Sequence, residues 1–215
     1  MITATNNGKK VRPEEWKGLV DYLAEINILK RTPRSGWRFA GPSTKVETDD
    51  DAGHVAGVAQ IAYLLARLEG LDLARALRCM GLALFHENSE TRLPDRDRVA
   101  AYYVKILQET FTRAMEDQVS TLPKEIGKEI LDFATEANYG DTPEAIIAQD
   151  ADMLEASLQA KIFNERGFTI DKSLLRIYLD ERRFQTKSAK RLVSAIRRRK
   201  EFPFRWGKKI LTEGG

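Results

Sequence analysis

With 215 residues, of which 42% are hydrophobic, the chain is long enough to bury one substantial core, so we expect a single domain. The single cysteine, Cys79, excludes an intramolecular disulfide, and its apolar neighbours indicate a buried thiol in a reducing compartment. No stretch approaches the roughly 18 consecutive apolar residues that a membrane-spanning helix needs. The first twelve residues also lack the apolar run of a signal peptide. These features predict a cytoplasmic protein.

The net charge of +3 is distributed unevenly along the chain. Residues 182–209 contain 12 Lys or Arg and a single acid, Glu201, which leaves 23 basic against 31 acidic residues elsewhere. We therefore divide the chain into a flexible N-terminus at 1–12, a helical domain at 13–200 and a basic, aromatic tail at 201–215.

Apolar residues recur at helical spacing almost everywhere, and no convincing alternating strand pattern is present. Pro13 suits the first turn of the first helix, and Asp72 caps the third after Gly70 ends the second. Seven helices are predicted, over about residues 13–29, 51–69, 73–88, 95–115, 123–137, 142–163 and 171–199. Short connections between them favour an all-α fold, a compact single-domain helical bundle.

The only two histidines, His54 and His86, both lie on the apolar stripe of their predicted helices. His54 is in line with Val58 and Ile61, and His86 lies one turn beyond Leu82. A single inward histidine is typically a hydrogen-bonded core residue. Two of them, with carboxylates close by, favour a metal site.

Carboxylates accompany both histidines. Glu87 follows His86 directly and Glu90 comes one turn later. A second acidic pair, Asp150 and Asp152, lies in a helix otherwise rich in Ala, Leu and Ile, so at least one of the two must point toward the core. A buried carboxylate needs a cation, which is either a metal shared with the histidines or a basic side chain from another helix.

In order and separation, His54, the pair at 86–87 and Asp152 resemble the H…HD…D metal set of the HD-domain superfamily. The branch that looks closest is the small 5′-deoxynucleotidase-like HD proteins. Residues 29–37, LKRTPRSGW, are similar to the segment that precedes the first metal histidine in that branch, and residues 184–192, FQTKSAKRL, to its closing helix. The resemblance covers about residues 14–196 and implies a bundle of HD-domain type.

The resemblance also implies site roles. One divalent ion, which could be Mn, Co, Fe, Ni, Zn or Mg, would be bound by four residues: His54, His86, Glu87 and Asp152. Glu90 would orient or deprotonate the attacking water with Asp95 as a companion acid, and Arg31 would hold the substrate phosphate. The implied protein is a homodimeric phosphomonoesterase that releases phosphate from (deoxy)nucleoside 5′-monophosphates.

Two positions depart from the family pattern, because Glu87 replaces the motif aspartate and Gly53 replaces an acid. They motivate a second hypothesis, a degenerate site that binds nucleotides without hydrolysing them. A third keeps the hydrolase but changes the substrate to nucleoside triphosphates or cyclic nucleotides. A fourth is nucleic-acid binding, since Arg197–Lys200 precede Phe202, Phe204 and Trp206; the alternative is a solvated helix end.

Overall fold

The computed structural model describes residues 5–6, 9–39, 49–168 and 170–200. A pair of two-residue antiparallel strands, β1 (Thr5–Asn6) and β2 (Lys9–Lys10), precedes the helices. Nine α-helices follow in the described part: α1 Pro13–Ile26, α2 Asp51–Leu68, α3 Leu73–Phe85, α4 Arg98–Tyr103, α5 Gln108–Val119, α6 Lys124–Tyr139, α7 Pro143–Glu165, α8 Lys172–Tyr178 and α9 Lys187–Arg198. The predicted all-α fold is confirmed.

The predicted helix over 95–115 is two helices, α4 and α5. The carboxylate of Asp97 accepts hydrogen bonds from the backbone N–H groups of Val99 and Ala100, so α4 begins at residue 98. Val104 then adopts an extended conformation, which ends α4 after six residues. The Asp97 cap accounts for the late start of α4. The break itself lies at the extended Val104, and α5 begins after Leu107 without a side-chain cap. Helical periodicity alone does not reveal such a break.

The predicted helix over 171–199 is likewise divided, into α8, a 3-10 turn at Glu181–Arg183, and α9. Asp180 accepts from the N–H of Arg182, and the hydroxyl of Thr186 accepts from the N–H of Ala189 at the start of α9. These caps hold the chain in non-helical conformations where the apolar pattern continued.

The core lies where α2 packs against both α3 and α7. Its fully buried side chains include Val58 and Leu65 of α2 and Leu82 of α3, with Leu154 of α7 beside them. Burying each of these side chains contributes about 1.5–3 kcal/mol. The same three helices carry the two histidines and Asp152, so the core packing also sets the geometry of the site.

The turn between α2 and α3 needs a glycine, because Gly70 has a φ of +86°. This tight connection makes α2 and α3 antiparallel neighbours. In the described ranges, no helix combines the length and apolar character required to cross a bilayer.

Candidate metal centre

The candidate metal centre lies where the first turn of α2, the end of α3 and the middle of α7 meet. The carboxylate of Asp50 caps α2 by accepting from the N–H of Gly53, which fixes the turn that carries His54. His86 and Glu87 follow the last residue of α3 directly. The structure brings these three site residues together with Asp152, and their ligand atoms all lie within 4.8 Å of one another.

The separations between ligand atoms suit a shared ion. His54 Nε2 is 3.0 Å from Asp152 Oδ1 and 3.7 Å from Glu87 Oε1, and His86 Nε2 is 3.3 Å from the same Glu87 oxygen. Ligands 2.0–2.2 Å from one ion are separated by about 2.8–3.6 Å when the angle between them is 90–110°. Two of the three separations fall in this range and the third exceeds it slightly, so the atoms are spaced nearly as they would be around a common cation.

The free ring nitrogens of both histidines face this cluster. His54 Nδ1 lies 2.7 Å from Glu155 Oε2, and His86 Nδ1 lies 2.6 Å from the carbonyl oxygen of Ala83. Each Nδ1 therefore donates a hydrogen, which leaves Nε2 as the ring atom available to a metal once it carries no proton. Both Nε2 atoms are buried, and their polar neighbours are the carboxylates of Asp152 and Glu87. Two imidazoles and two carboxylates that converge in this way fit a divalent cation.

The electrostatics of the cluster point the same way. Burial disfavours the charged form of His54, but the carboxylates of Asp152 and Glu155 outweigh it and raise the pKa of His54 to about 10. Burial is likewise outweighed at Glu87, where His86 and Arg34 hold the pKa well below its ordinary value. The cluster thus concentrates negative charge that attracts a cation, and a divalent ion would compete with the histidine protons for it.

A second acidic group, Asp51, Glu90 and Asp95, lies beside the first. The Oδ2 atom of Asp51 and the Oε2 atom of Glu90 are buried without a hydrogen-bond partner in the described chain. Burial and the neighbouring charge of Glu87 raise the pKa of Glu90 to about 12, so Glu90 holds a proton in the metal-free cluster.

The turn that carries Glu90 is fixed from both sides. Tyr22 of α1 accepts a hydrogen bond from the side-chain amide of Asn88 at 2.9 Å, and Gln118 of α5 donates to the carbonyl of Asn88, also at 2.9 Å. Glu25 pairs with Arg92 at 2.7 Å, and that guanidinium group lowers the pKa of Glu25 to about 2. These contacts hold the 3-10 turn Asn88–Thr91 against the core.

Arg34 is the basic residue that the structure places in the cluster. Its Nη1 atom is 2.9 Å from Glu87, 3.4 Å from Asp51 and 4.0 Å from Asp95. The 3-10 turn after it is anchored by Trp37, which is buried and makes an edge contact with Phe163 at 5.1 Å. The acids that surround Arg34 were visible in the sequence, and their number indicated that a buried cation was required.

Arg31, the predicted phosphate-binding residue, is not brought to the cluster. It is exposed at the end of the 3-10 turn Asn27–Arg31, and no ion pair of Arg31 is found within the described ranges. Its role remains a prediction.

The two acidic residues of α7, Asp150 and Asp152, make different contacts. Asp150 is fully buried and accepts hydrogen bonds from the N–H groups of Gln185 and Thr186, so it fixes the start of α9 and not the metal site. Asp152 faces His54 and is 41% exposed in its side chain. The partner of Asp152 Oδ1 is His54 Nε2, and metal binding by Asp152 stays a prediction that this contact favours.

A cavity of about 120 Å³ opens beside the cluster, lined among others by His86, Glu90, Arg96 and Tyr139. It has room for about four water molecules, a volume that suits a phosphate-sized group. A whole nucleotide would have to extend from it toward the surface.

Residues 26–191 match the model of the HD-domain family, so the chain belongs to this family. It is 28% identical over 155 residues to the 5′-deoxynucleotidase HDDC2 of Xenopus laevis, an alignment that covers 69% of this chain and 71% of the relative. The expectation of an HD-domain phosphohydrolase is confirmed by this match.

Solved structures share the fold. A conserved hypothetical protein from Pyrococcus furiosus is similar with a TM-score of 0.66 at 21% identity, and the likeness covers 84% of this chain and 99% of that one. A protein from Magnetospirillum magnetotacticum, described by its name as a predicted metal-dependent phosphohydrolase, has a TM-score of 0.61 at 18% identity, over 85% and 93% of the two chains. At these identities the likeness shows the fold.

Proposed function

We propose that the protein is a metal-dependent 5′-nucleotidase that releases inorganic phosphate from (deoxy)nucleoside 5′-monophosphates. The observation that carries this proposal is the convergence of the buried Nε2 atoms of His54 and His86 on the carboxylates of Glu87 and Asp152. The relative from Xenopus laevis named 5′-deoxynucleotidase supports the choice of substrate.

The proposed roles follow from the geometry. One divalent ion, whose identity among Mn, Co, Fe, Ni, Zn and Mg stays open, would be held by four residues: His54, His86, Glu87 and Asp152. When bound, it would supply Lewis acidity and lower the pKa of a bound water. The positive charge of a bound ion would also lower the pKa of Glu90. Glu90 would then be the residue that accepts the proton of the attacking water, at Oε2.

Asp95 and the two arginines complete the proposed site. Asp95 accepts a hydrogen bond from the N–H of Ser35 at 2.5 Å, which ties the Arg34 segment to the acidic group. Arg34 stabilises the negative charge that develops on the phosphoryl oxygens. Arg31, which is exposed and lies outside the cluster, would contact the substrate phosphate when a nucleotide binds.

The longer side chain of Glu87 is accommodated. Its Oε1 atom lies within 4 Å of both histidine Nε2 atoms, and Arg34 holds the same oxygen at 2.9 Å. The carboxylate therefore reaches the position where a ligand is needed, which favours an active enzyme over a degenerate nucleotide-binding site.

A phosphate-release screen tests the proposal. Protein purified without chelator is expected to contain about one divalent ion per chain and to release phosphate from nucleoside monophosphates. Removal of the ion should abolish the activity and its return should restore it. Cleavage restricted to triphosphates or cyclic nucleotides would transfer the assignment to those substrates. A metal-free, inactive protein that still binds nucleotides would support the degenerate site.

We propose that the protein is a homodimer and that its interface includes the outer face of α2 and α3. Five leucines of these two helices are 46–62% exposed, and the spacing of four residues in the pairs 64/68 and 73/77 puts each pair on one side of its helix: Leu64, Leu68, Leu73, Leu77 and Leu84. Closed twofold assemblies bury such self-complementary faces, and they are the commonest oligomers.

Leu73→Glu is expected to convert the dimer to a monomer, because a carboxylate would be buried in the apolar interface. The molar mass in solution, measured by light scattering, should fall by half in this variant. Val20→Glu, which alters a comparably exposed residue of α1, is the control and should leave the mass unchanged. A wild-type protein that is already monomeric would contradict the proposal.

The cytoplasm is the proposed compartment, and the buried, free Cys79 supports it.

The aromatic residues of the nucleic-acid hypothesis, Phe202, Phe204 and Trp206, lie outside the described residues, as does the whole tail 201–215. In the preceding helix, Arg198 donates to the hydroxyl of Ser194 at 2.7 Å.

A further inference from the structure

The rear nitrogen of His54 contacts a carboxylate to which the proposed mechanism gives no role. His54 Nδ1 lies 2.7 Å from Glu155 Oε2, while Nε2 faces the ligand cluster on the other side of the ring. Glu155 follows Asp152 by one turn of α7, so both carboxylates face α2. One helix thus contacts both nitrogens of a ring that is almost fully buried.

A glycine of α2 leaves space for this contact. A Cβ atom added at Gly57 would lie 3.0 Å from Glu155 Cγ and 3.4 Å from its Oε1 atom. A larger residue at this position, one turn after His54, would therefore require Glu155 to shift by a few tenths of an ångström. Glycine is unfavourable inside a helix, so its presence here is consistent with a packing requirement.

A second glycine admits a second acid to the same side of the ring. A Cβ atom at Gly53 would lie 2.8 Å from Asp49 Oδ1, closer than real contacts allow. Asp49, His54 and Glu155 offer polar atoms within 4.8 Å of one another. Asp49 is held there because its carbonyl oxygen accepts from the N–H of Arg34 at 3.2 Å.

We propose that Glu155 is a positioning residue that accepts the Nδ1 hydrogen of His54 and so presents Nε2 to the metal, with Asp49 as a supporting acid. Gly53 and Gly57 make room for the two carboxylates. Asp49, four residues before Gly53, thus brings a second carboxylate to the Glu155 side of the ring. This inference rests on the proposed metal binding.

The test is the affinity of the metal-free, full-length protein for Zn²⁺, measured by calorimetric titration. Glu155→Ala is expected to weaken binding by about 10-fold to 100-fold, the usual effect of losing a carboxylate behind a histidine ligand. Glu155→Gln keeps an acceptor oxygen and should recover part of that loss. Glu165→Gln, in the same helix and paired with Lys161, is the control and should bind Zn²⁺ as the wild type does.

NMR of the imidazole N–H hydrogen in the Zn²⁺-loaded protein supplies a second measurement. If Glu155 had only a structural role, this resonance would not move when Glu155 is replaced. The Nδ1–H resonance of His54 should lie at low field in the wild type, because it donates to a carboxylate. It should move upfield in Glu155→Ala and take an intermediate position in Glu155→Gln.

Gly57→Ala separates positioning from stability. Alanine favours the helix more than glycine, so the thermal unfolding temperature should not fall. Affinity for Zn²⁺ should nevertheless fall several-fold, because the new methyl group displaces Glu155. Wild-type affinity in both Glu155→Ala and Gly57→Ala overturns the positioning role alone. A wild-type protein that binds no Zn²⁺ overturns the metal site and the inference together.

Discussion

Asp152→Asn is expected to lose the bound metal and to lower phosphate release by about a thousand-fold or more, which corresponds to roughly 4 kcal/mol of transition-state stabilisation. The substitution removes the anionic oxygen that lies 3.0 Å from His54 Nε2 and leaves the shape of the side chain almost unchanged. Because Asp152 is partly exposed, the fold should be retained. Elemental analysis and a phosphate assay on the purified variant measure the two effects.

Asp132→Asn is the matched control for this experiment, since Asp132 is an exposed aspartate that pairs only with Lys128 in the described part of the chain. It should keep both metal and activity. Normal metal content in Asp152→Asn would remove Asp152 from the ligand set, and full activity would remove it from the mechanism.

Glu90→Gln is expected to keep its metal but to lose activity by about 100-fold to 10,000-fold, the usual contribution of a general base. Glutamine has the shape of a protonated glutamate but cannot accept the proton of the attacking water. Phosphate release at saturating metal, together with the metal content, measures the effect. Glu129→Gln, at an exposed position of α6, should behave as the wild type.

The pH dependence of stability checks the same residue independently. In the metal-free protein the pKa of Glu90 is raised to about 12 from about 4.3 in the unfolded chain, so folding takes up a proton. The free energy of unfolding therefore decreases as the pH rises above the unfolded value. Glu90→Gln removes this dependence, and the metal-free variant should be at least as stable as the wild type at pH 7. Full activity in the variant would exclude Glu90 as the base.

Much of the architecture could be predicted from the sequence, because the apolar stripes of α2, α3 and α7 are long and regular. The same stripes placed His54 and His86 on inward faces, which is where the structure has them. The breaks after α4 and α8 were not predicted. The break after α8 depends on capping by Asp180 and Thr186, which competes locally with helix formation where the periodic pattern continues, whereas the break after α4 occurs where the backbone of Val104 is extended.

The sequence by itself determined that this protein is helical, that both histidines face inward and that the metal-binding motif occurs in the family order. Only the tertiary structure decided that Arg34 and not Arg31 contacts the acidic cluster, that Asp150 holds the segment before α9 and that Glu155 contacts His54. The physical reason is that periodicity identifies the buried face of a helix but not what that face meets. Ion pairs and hydrogen bonds between distant residues depend on how α2, α3 and α7 pack, and on which buried charge needs a partner.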